Sequence, residues 1–157
     1  MARTSGKLLR RPPGVLTLSV QYGVAKNRLP SPKQVRSWAK AALLTDAQVT
    51  FRLVGAREGH KLNRDFRGRD YATNVLTFAY PDLEPLTGDI VLCAPVIARE
   101  AAEQRKPIEA HYAHLVVHGM LHLQGYDHEN SKDAVVMETL EAEIVVKLGY
   151  ADPYEAR

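Results

Sequence analysis

The run from Tyr112 to Leu123 is almost wholly apolar but is interrupted by His114, His118 and His122. Read as a helix, with about 1.5 Å rise and 3.6 residues per turn, it stacks His118 and His122 on one face. Gly125 falls where such a helix stops, because glycine accepts the left-handed conformation that turns a chain back. His128 can then return toward the pair. Three neutral nitrogen ligands with one position left open describe a catalytic zinc site rather than a structural one. Gly119, directly after the first ligand, is expected to leave space beside the metal for a bulky substrate group. The rest of the chain reads as support for this cluster.

The chain has 157 residues, 45% of them apolar, which suffices for one compact core and is short for two domains. No apolar stretch approaches the roughly 18 residues of a transmembrane helix. The start lacks the apolar centre of a secretion signal. A single cysteine, Cys93, rules out an internal disulfide framework and fits a reducing, cytoplasmic setting. It lies in the apolar run Ile90–Ala94 and reads as an inert buried thiol. The net charge of +3 is uneven: Arg3, Lys7, Arg10 and Arg11 place +4 in the first fourteen residues and leave −1 for the remainder. We read residues 1–14 as a basic, solvated leader and residues 15–154 as a single metal-binding catalytic domain.

Periodicity places the elements around the cluster. Val15–Tyr22 is rich in β-branched and apolar residues and reads as a strand. Ser31-Pro32-Lys33-Gln34 is a helix start, with serine as N-cap, proline at the first helical position and glutamine at the third. Val35, Trp38, Ala39, Ala42 and Leu43 then follow at helical spacing as one buried face. Ala47–Val54 alternates Val49, Phe51 and Leu53 with polar residues, as a half-buried strand does. A helix is expected over Ala56–Phe66, with Leu62 and Phe66 four apart, and strands over Asn74–Tyr80 and Asp89–Ala94, with a loop from Pro81 to Gly88 between them. Helices from Pro95 to about Gln104, from about Pro107 to Leu123, and from an N-cap at Ser131 to Gly149 complete the chain. The last carries Met137, Leu140, Ile144 and Leu148 on one face. The order predicts an α+β fold: a small mixed sheet of about four strands packed with helices, the metal site on a helix of the C-terminal half.

The histidine offsets, with glycine at the seventh position after His118, match the metzincin pattern H-E-x-x-H-x-x-G-x-x-H. The glutamate that serves those proteases as general base is Gly119 here. Spacing therefore supports zinc geometry while the glycine argues against proteolysis. His114 and His111, one and two turns earlier, read as partly buried hydrogen-bonded side chains, and His60 as solvated. Asp127 either orients a ligand or caps the turn. Upstream, Lys61, Arg64, Arg67 and Arg69 cluster around Gly68. Guanidinium groups bind phosphate oxygens through paired hydrogen bonds, and three neutral ligands leave zinc its full charge for an anionic substrate. A phosphodiester suits both, although a solvated face paired with Asp65 and Asp70 remains open for the cations.

Together, His118-Gly-Met-Leu-His122-Leu-Gln-Gly-Tyr-Asp-His128, Phe66-Arg67-Gly68-Arg69-Asp70, Thr73-Asn74-Val75-Leu76, Gly88-Asp89-Ile90-Val91 and Leu148-Gly149-Tyr150 resemble the YbeY family of bacterial metal-dependent endoribonucleases, from about Val15 to Tyr154. The resemblance implies an α+β domain with a groove leading to the metal, and His118, His122 and His128 as zinc ligands. It implies Arg67 as the arginine of RNA cleavage; the phosphate reading of the cation cluster adds Arg69 and Lys61 as further substrate contacts. The resemblance also implies action on single-stranded RNA in 16S ribosomal RNA 3′-end maturation and ribosome quality control, in contact with the ribosome and away from membranes. Where the family often has Pro-Thr and Ser-Phe-Pro around its third strand, this chain has Ala72-Thr73 and Thr77-Phe78-Ala79, so groove shape is expected to differ more than chemistry. Two rival readings keep the metal and change its use: a metallopeptidase, or a non-catalytic ribosome-associated factor that zinc merely braces.

Overall fold

The computed structural model describes residues 14–155. The expected basic leader therefore lies, except for Gly14, outside the described residues. Four strands, β1 (Leu16–Tyr22), β2 (Ala47–Val54), β3 (Val75–Tyr80) and β4 (Leu86–Cys93), form one sheet in the order β1-β2-β4-β3. β1 and β4 both run parallel to β2, while β3 pairs antiparallel to β4 at the sheet edge. The helices are α1 (Pro32–Ala41), α2 (Ala56–Arg67), α3 (Ala94–Glu103), α4 (Ile108–Leu123) and α5 (Ser131–Lys147). This is the mixed α+β arrangement that the periodicity predicts.

Local chemistry explains most element ends. Ser31 accepts from the Gln34 backbone N–H while Gln34 Oε1 accepts from Ser31 N–H, a reciprocal capping box that starts α1 before Pro32. Two departures from the sequence reading have a clear physical cause. The last helix is capped by Asn130, whose side chain accepts from the Asp133 N–H, so Ser131 is its first helical residue. β4 begins at Leu86, not Asp89. Leu86, Thr87 and Gly88 contribute a single apolar side chain and no strand-like run, but Thr87 and Gly88 pair with Tyr80 and Ala79 across the β3 ladder, and all three pair with β2. Pairing, not propensity, extends the strand.

One sheet face packs on α1 and α4. Val49, Phe51 and Leu53 of β2 and Ile90 and Leu92 of β4 meet Val35, Trp38, Ala39 and Ala42 of α1 and the apolar sides of α4. The other face carries a smaller cluster of Val54, Leu76, Val91 and Cys93, over which Leu62 of α2 lies. Phe66, four residues after Leu62 on α2, is 65% exposed and meets the edge of Phe78, with ring centres 5.4 Å apart. α4 is the hub: it touches α1, α3, α5, β3 and β4. Such surroundings account for its sequence, since a helix packed nearly all round must be apolar nearly all round. Apart from Glu109 in its first turn, which meets Gln34 of α1 and Tyr150, its polar residues are the histidines of one stripe.

Candidate metal centre

That stripe carries the histidines. The rings of His118 and His122 stack at 16° with centres 6.4 Å apart, as one helical turn dictates. α4 stops at Leu123 because Gln124 is clamped: its Nε2 donates to Ala42 O and its Oε1 accepts from Leu44 N–H, tying the helix end to that of α1. Gly125 follows with φ +109°, and the Tyr126 N–H returns to Leu121 O. The reversed chain delivers His128 to 5.3 Å from the His118 ring centre and 6.0 Å from that of His122. Asp127 caps this turn by accepting from the His128 N–H.

The donor set fits a zinc ion. His118 Nδ1 faces Glu141 Oε2 at 2.7 Å, and His122 Nδ1 faces the Tyr126 carbonyl at 3.0 Å. Both partners accept, so each ring donates from Nδ1 and keeps Nε2 free to ligate. Ring centres about 5 Å apart would correspond to tetrahedral zinc with Zn–N near 2.0–2.1 Å. The three rings stand slightly wider than this, and among the described residues no group of three or more His, Cys, Asp or Glu side chains is already closed to metal-holding distance.

Glu141 is the residue that sequence reasoning missed. It has no exposed side-chain surface, and it accepts from His118, from His114 Nε2 at 2.9 Å and from the Tyr154 hydroxyl. Burial by itself pushes a carboxyl up; the hydrogen bonds of His114, His118 and Tyr154 overcome it and hold Glu141 at about 2. The buried stripe of α5 is Met137, Glu141 and Val145, one residue off the apolar set that the periodicity predicts. A glutamate four residues after a buried methionine was the available signal. His111, also buried, bonds Glu100, which in turn accepts from Asn74. Both upstream histidines are thus hydrogen-bonded, as expected, while His60 pairs with Asp70 at the surface.

Gly119 does not do what the sequence reading assigns to it. It is buried and faces the sheet, where an added Cβ would sit 3.0 Å from Ile90 Cγ2 and 3.2 Å from Ile90 Cδ1. One residue beyond His118 is about 100° around the helix, which turns position 119 from the metal stripe into the core. The glycine lets α4 lie close on β4; it opens no space at the metal. The open side is elsewhere, in a cleft of about 300 Å³ bordered by Thr73, Asn74, Val75, His118, His128 and Glu138.

The cations separate. Lys61 and Arg64 both pair with Asp65 on the exposed side of α2, and Arg69 is exposed in the turn after Gly68. Arg67 instead reaches edge strand β3, donating to Thr77 O at 2.7 Å, with its guanidinium carbon 5.7 Å from the Phe78 ring centre. Thr77 lies two residues along β3 from Val75, which borders the cleft. β3 therefore links Arg67 to the histidine cluster.

A four-stranded α+β protein whose hub helix and the turn after it bring three imidazoles together at a sheet edge is the class that fold and site define. The family model described as endoribonuclease YbeY matches residues 26–149. A protein named endoribonuclease YbeY from Aromatoleum aromaticum is 61% identical over 142 residues, spanning 88% of this chain and 92% of that one. Another of that name from Nitrosospira multiformis is 52% identical over 165 residues, spanning 96% and 87%. The solution structure of TM1509 from Thermotoga maritima aligns with a TM-score of 0.52 and 25% identity, covering 90% of this chain and 99% of that one. The chain belongs to the YbeY family.

Proposed function

We propose that this protein is a zinc-dependent endoribonuclease that cuts single-stranded RNA, acting in 16S ribosomal RNA 3′-end maturation and ribosome quality control in the cytoplasm. The observation that carries the reading is the convergence of His118, His122 and His128, with Nδ1 of the first two already committed and Nε2 left free. The names of the relatives support an RNA substrate. Among the described residues no helix is long and apolar enough to cross a membrane.

His118, His122 and His128 would hold the ion. When bound, zinc supplies a Lewis acid for the scissile phosphate and an activated water at neutral pH. The chain's own residues do the rest. Arg67, anchored by one nitrogen on Thr77 O, retains further N–H donors for a phosphate next to the cleft, and Arg69 in the adjoining turn extends the positive field. Lys61 joins them only by leaving Asp65. No carboxylate stands at position 119, which disfavours the peptidase alternative.

The test incubates labelled single-stranded and duplex RNA with zinc-replete, chelated and His118→Ala protein. Cleavage of the single strand by the zinc-replete sample alone is the expected outcome. Intact RNA in every lane, with metal content confirmed, would overturn the nuclease reading in favour of a zinc-braced ribosome-associated factor. Cleavage of an unstructured protein instead would favour the peptidase.

A further inference from the structure

The stripe on α4 poses a question that its spacing does not answer: four histidines lie along one side of the helix, and His114 is as well placed one turn before His118 as His122 is one turn after it. The ring centres of His114 and His118 are 6.5 Å apart, against 6.4 Å for His118 and His122. Helical geometry alone does not distinguish them.

Glu141 does. Its carboxylate faces Nδ1 of His118 but Nε2 of His114. A carboxylate accepts and does not donate, so the nitrogen that faces it must carry the proton. One side chain thereby imposes opposite tautomers on two rings of one helix. His118 is protonated on Nδ1 and offers Nε2. His114 is protonated on Nε2, and its Nδ1 is enclosed, with no hydrogen-bond partner among the described residues. We propose that Glu141 is a positioning residue that sorts the histidines of α4, fixing His118 as an Nε2 ligand and withdrawing His114 from the metal. The proposal rests on the metal reading given above.

The sorting device also involves the C-terminal segment. Tyr154, beyond the end of α5, donates its hydroxyl to the same Glu141 oxygen that His114 uses, and that hydroxyl is 3.2 Å from His114 Nε2. Three donors on one buried carboxylate leave it little freedom to rotate. Offering a carbonyl and an amide in place of two equivalent oxygens, Glu141→Gln can satisfy at most two of the three. Removing such an outer partner of a metal ligand typically weakens metal binding about 10- to 100-fold. Tyr154→Phe keeps the carboxylate and removes one hydrogen bond, for which about a two- to ten-fold loss is expected.

The test has a readout that needs no metal. Long-range ¹H–¹⁵N correlation spectra of the imidazoles, recorded on the full-length chain after chelation, should show His118 protonated on Nδ1 and His114 on Nε2, and Glu141→Gln should convert at least one of them to a tautomer mixture. Cobalt(II) titration, followed by its visible absorption in competition with a chelator, should show the stated affinity losses and an altered spectrum for Glu141→Gln, with Glu143→Gln, exposed on the same helix, unchanged. Wrong tautomers in wild-type protein that binds cobalt would overturn the positioning role alone. Correct tautomers with no cobalt bound would overturn the metal reading and the role together. Should Glu141→Gln not fold, Tyr154→Phe decides, and unchanged ring nitrogen shifts with unchanged cobalt affinity would overturn the proposal.

Discussion

Replacing Gly119 by alanine separates a glycine that makes room for substrate from one that lets a helix lie against a sheet. The added methyl would meet Ile90 at 3.0 and 3.2 Å, inside ordinary contact distance, and Ile90 has no exposed surface into which to retreat. Overpacking of this kind costs about 1–3 kcal/mol, while alanine in place of a mid-helix glycine returns up to about 1 kcal/mol. The net expectation is therefore about 0–3 kcal/mol of destabilisation, too broad to decide anything alone. The coupling with Ile90 is sharper. Ile90→Ala by itself should cost about 2–5 kcal/mol for the cavity it leaves. In the double variant the new methyl enters that cavity and its clash is gone, so the double loss should fall short of the sum by about 1–2 kcal/mol. Urea unfolding of the four proteins measures this. Additivity within about 0.5 kcal/mol would refute the claim that α4 rests on β4 through this pair. RNA cleavage by folded Gly119→Ala protein should persist; its loss at unchanged stability would restore the open-space reading.

Arg67→Ala should lower single-strand cleavage by about 100-fold or more, with little effect on the thermal midpoint, because only one hydrogen bond, to Thr77 O, is removed at an exposed side chain; full activity would remove Arg67 from the site. Gly88→Ala should destabilise by about 3 kcal/mol or more, at the top of the overpacking range, since its Cβ would lie 2.6 Å from the Phe78 carbonyl oxygen and 2.4 Å from a Leu123 methyl; a urea midpoint near wild type would contradict the β3–β4 register. Burial pushes the Cys93 thiol up from its ordinary value of 9.0, so native protein should resist alkylation even at pH 9 and react promptly once unfolded in urea; rapid native labelling would show that the sheet end is open.

Several parts of this molecule were legible without coordinates because they are settled within a few residues of chain. The capping box of Ser31 and Gln34, the alternation in Ala47–Val54, the turn at Gly125 and the pairing of His118 with His122 all depend on local geometry that repeats in any protein. The spacing of the third histidine followed from that turn. Arg67 was set apart from its neighbours by resemblance alone, and nothing in the run Lys61–Arg69 says that Lys61 and Arg64 share Asp65 whereas Arg67 reaches β3.

The remainder depends on which surfaces meet. Glu141 lies 23 residues from His118, on a helix whose apolar period points one residue away from it, and its role exists only because α5 crosses α4 at the histidine stripe. Tyr154 reaches the same carboxylate from beyond that helix. Gly119 is next to a ligand in sequence, yet α4 turns it to the sheet, so its contact is Ile90 and not a substrate. The sequence by itself determined the elements and the spacing of the three histidines, because those are properties of the backbone and its nearest neighbours. The tertiary structure alone decided which ring nitrogens face inward and which glycine is packing, because hydrogen-bond partners and close contacts are supplied by residues distant in the chain.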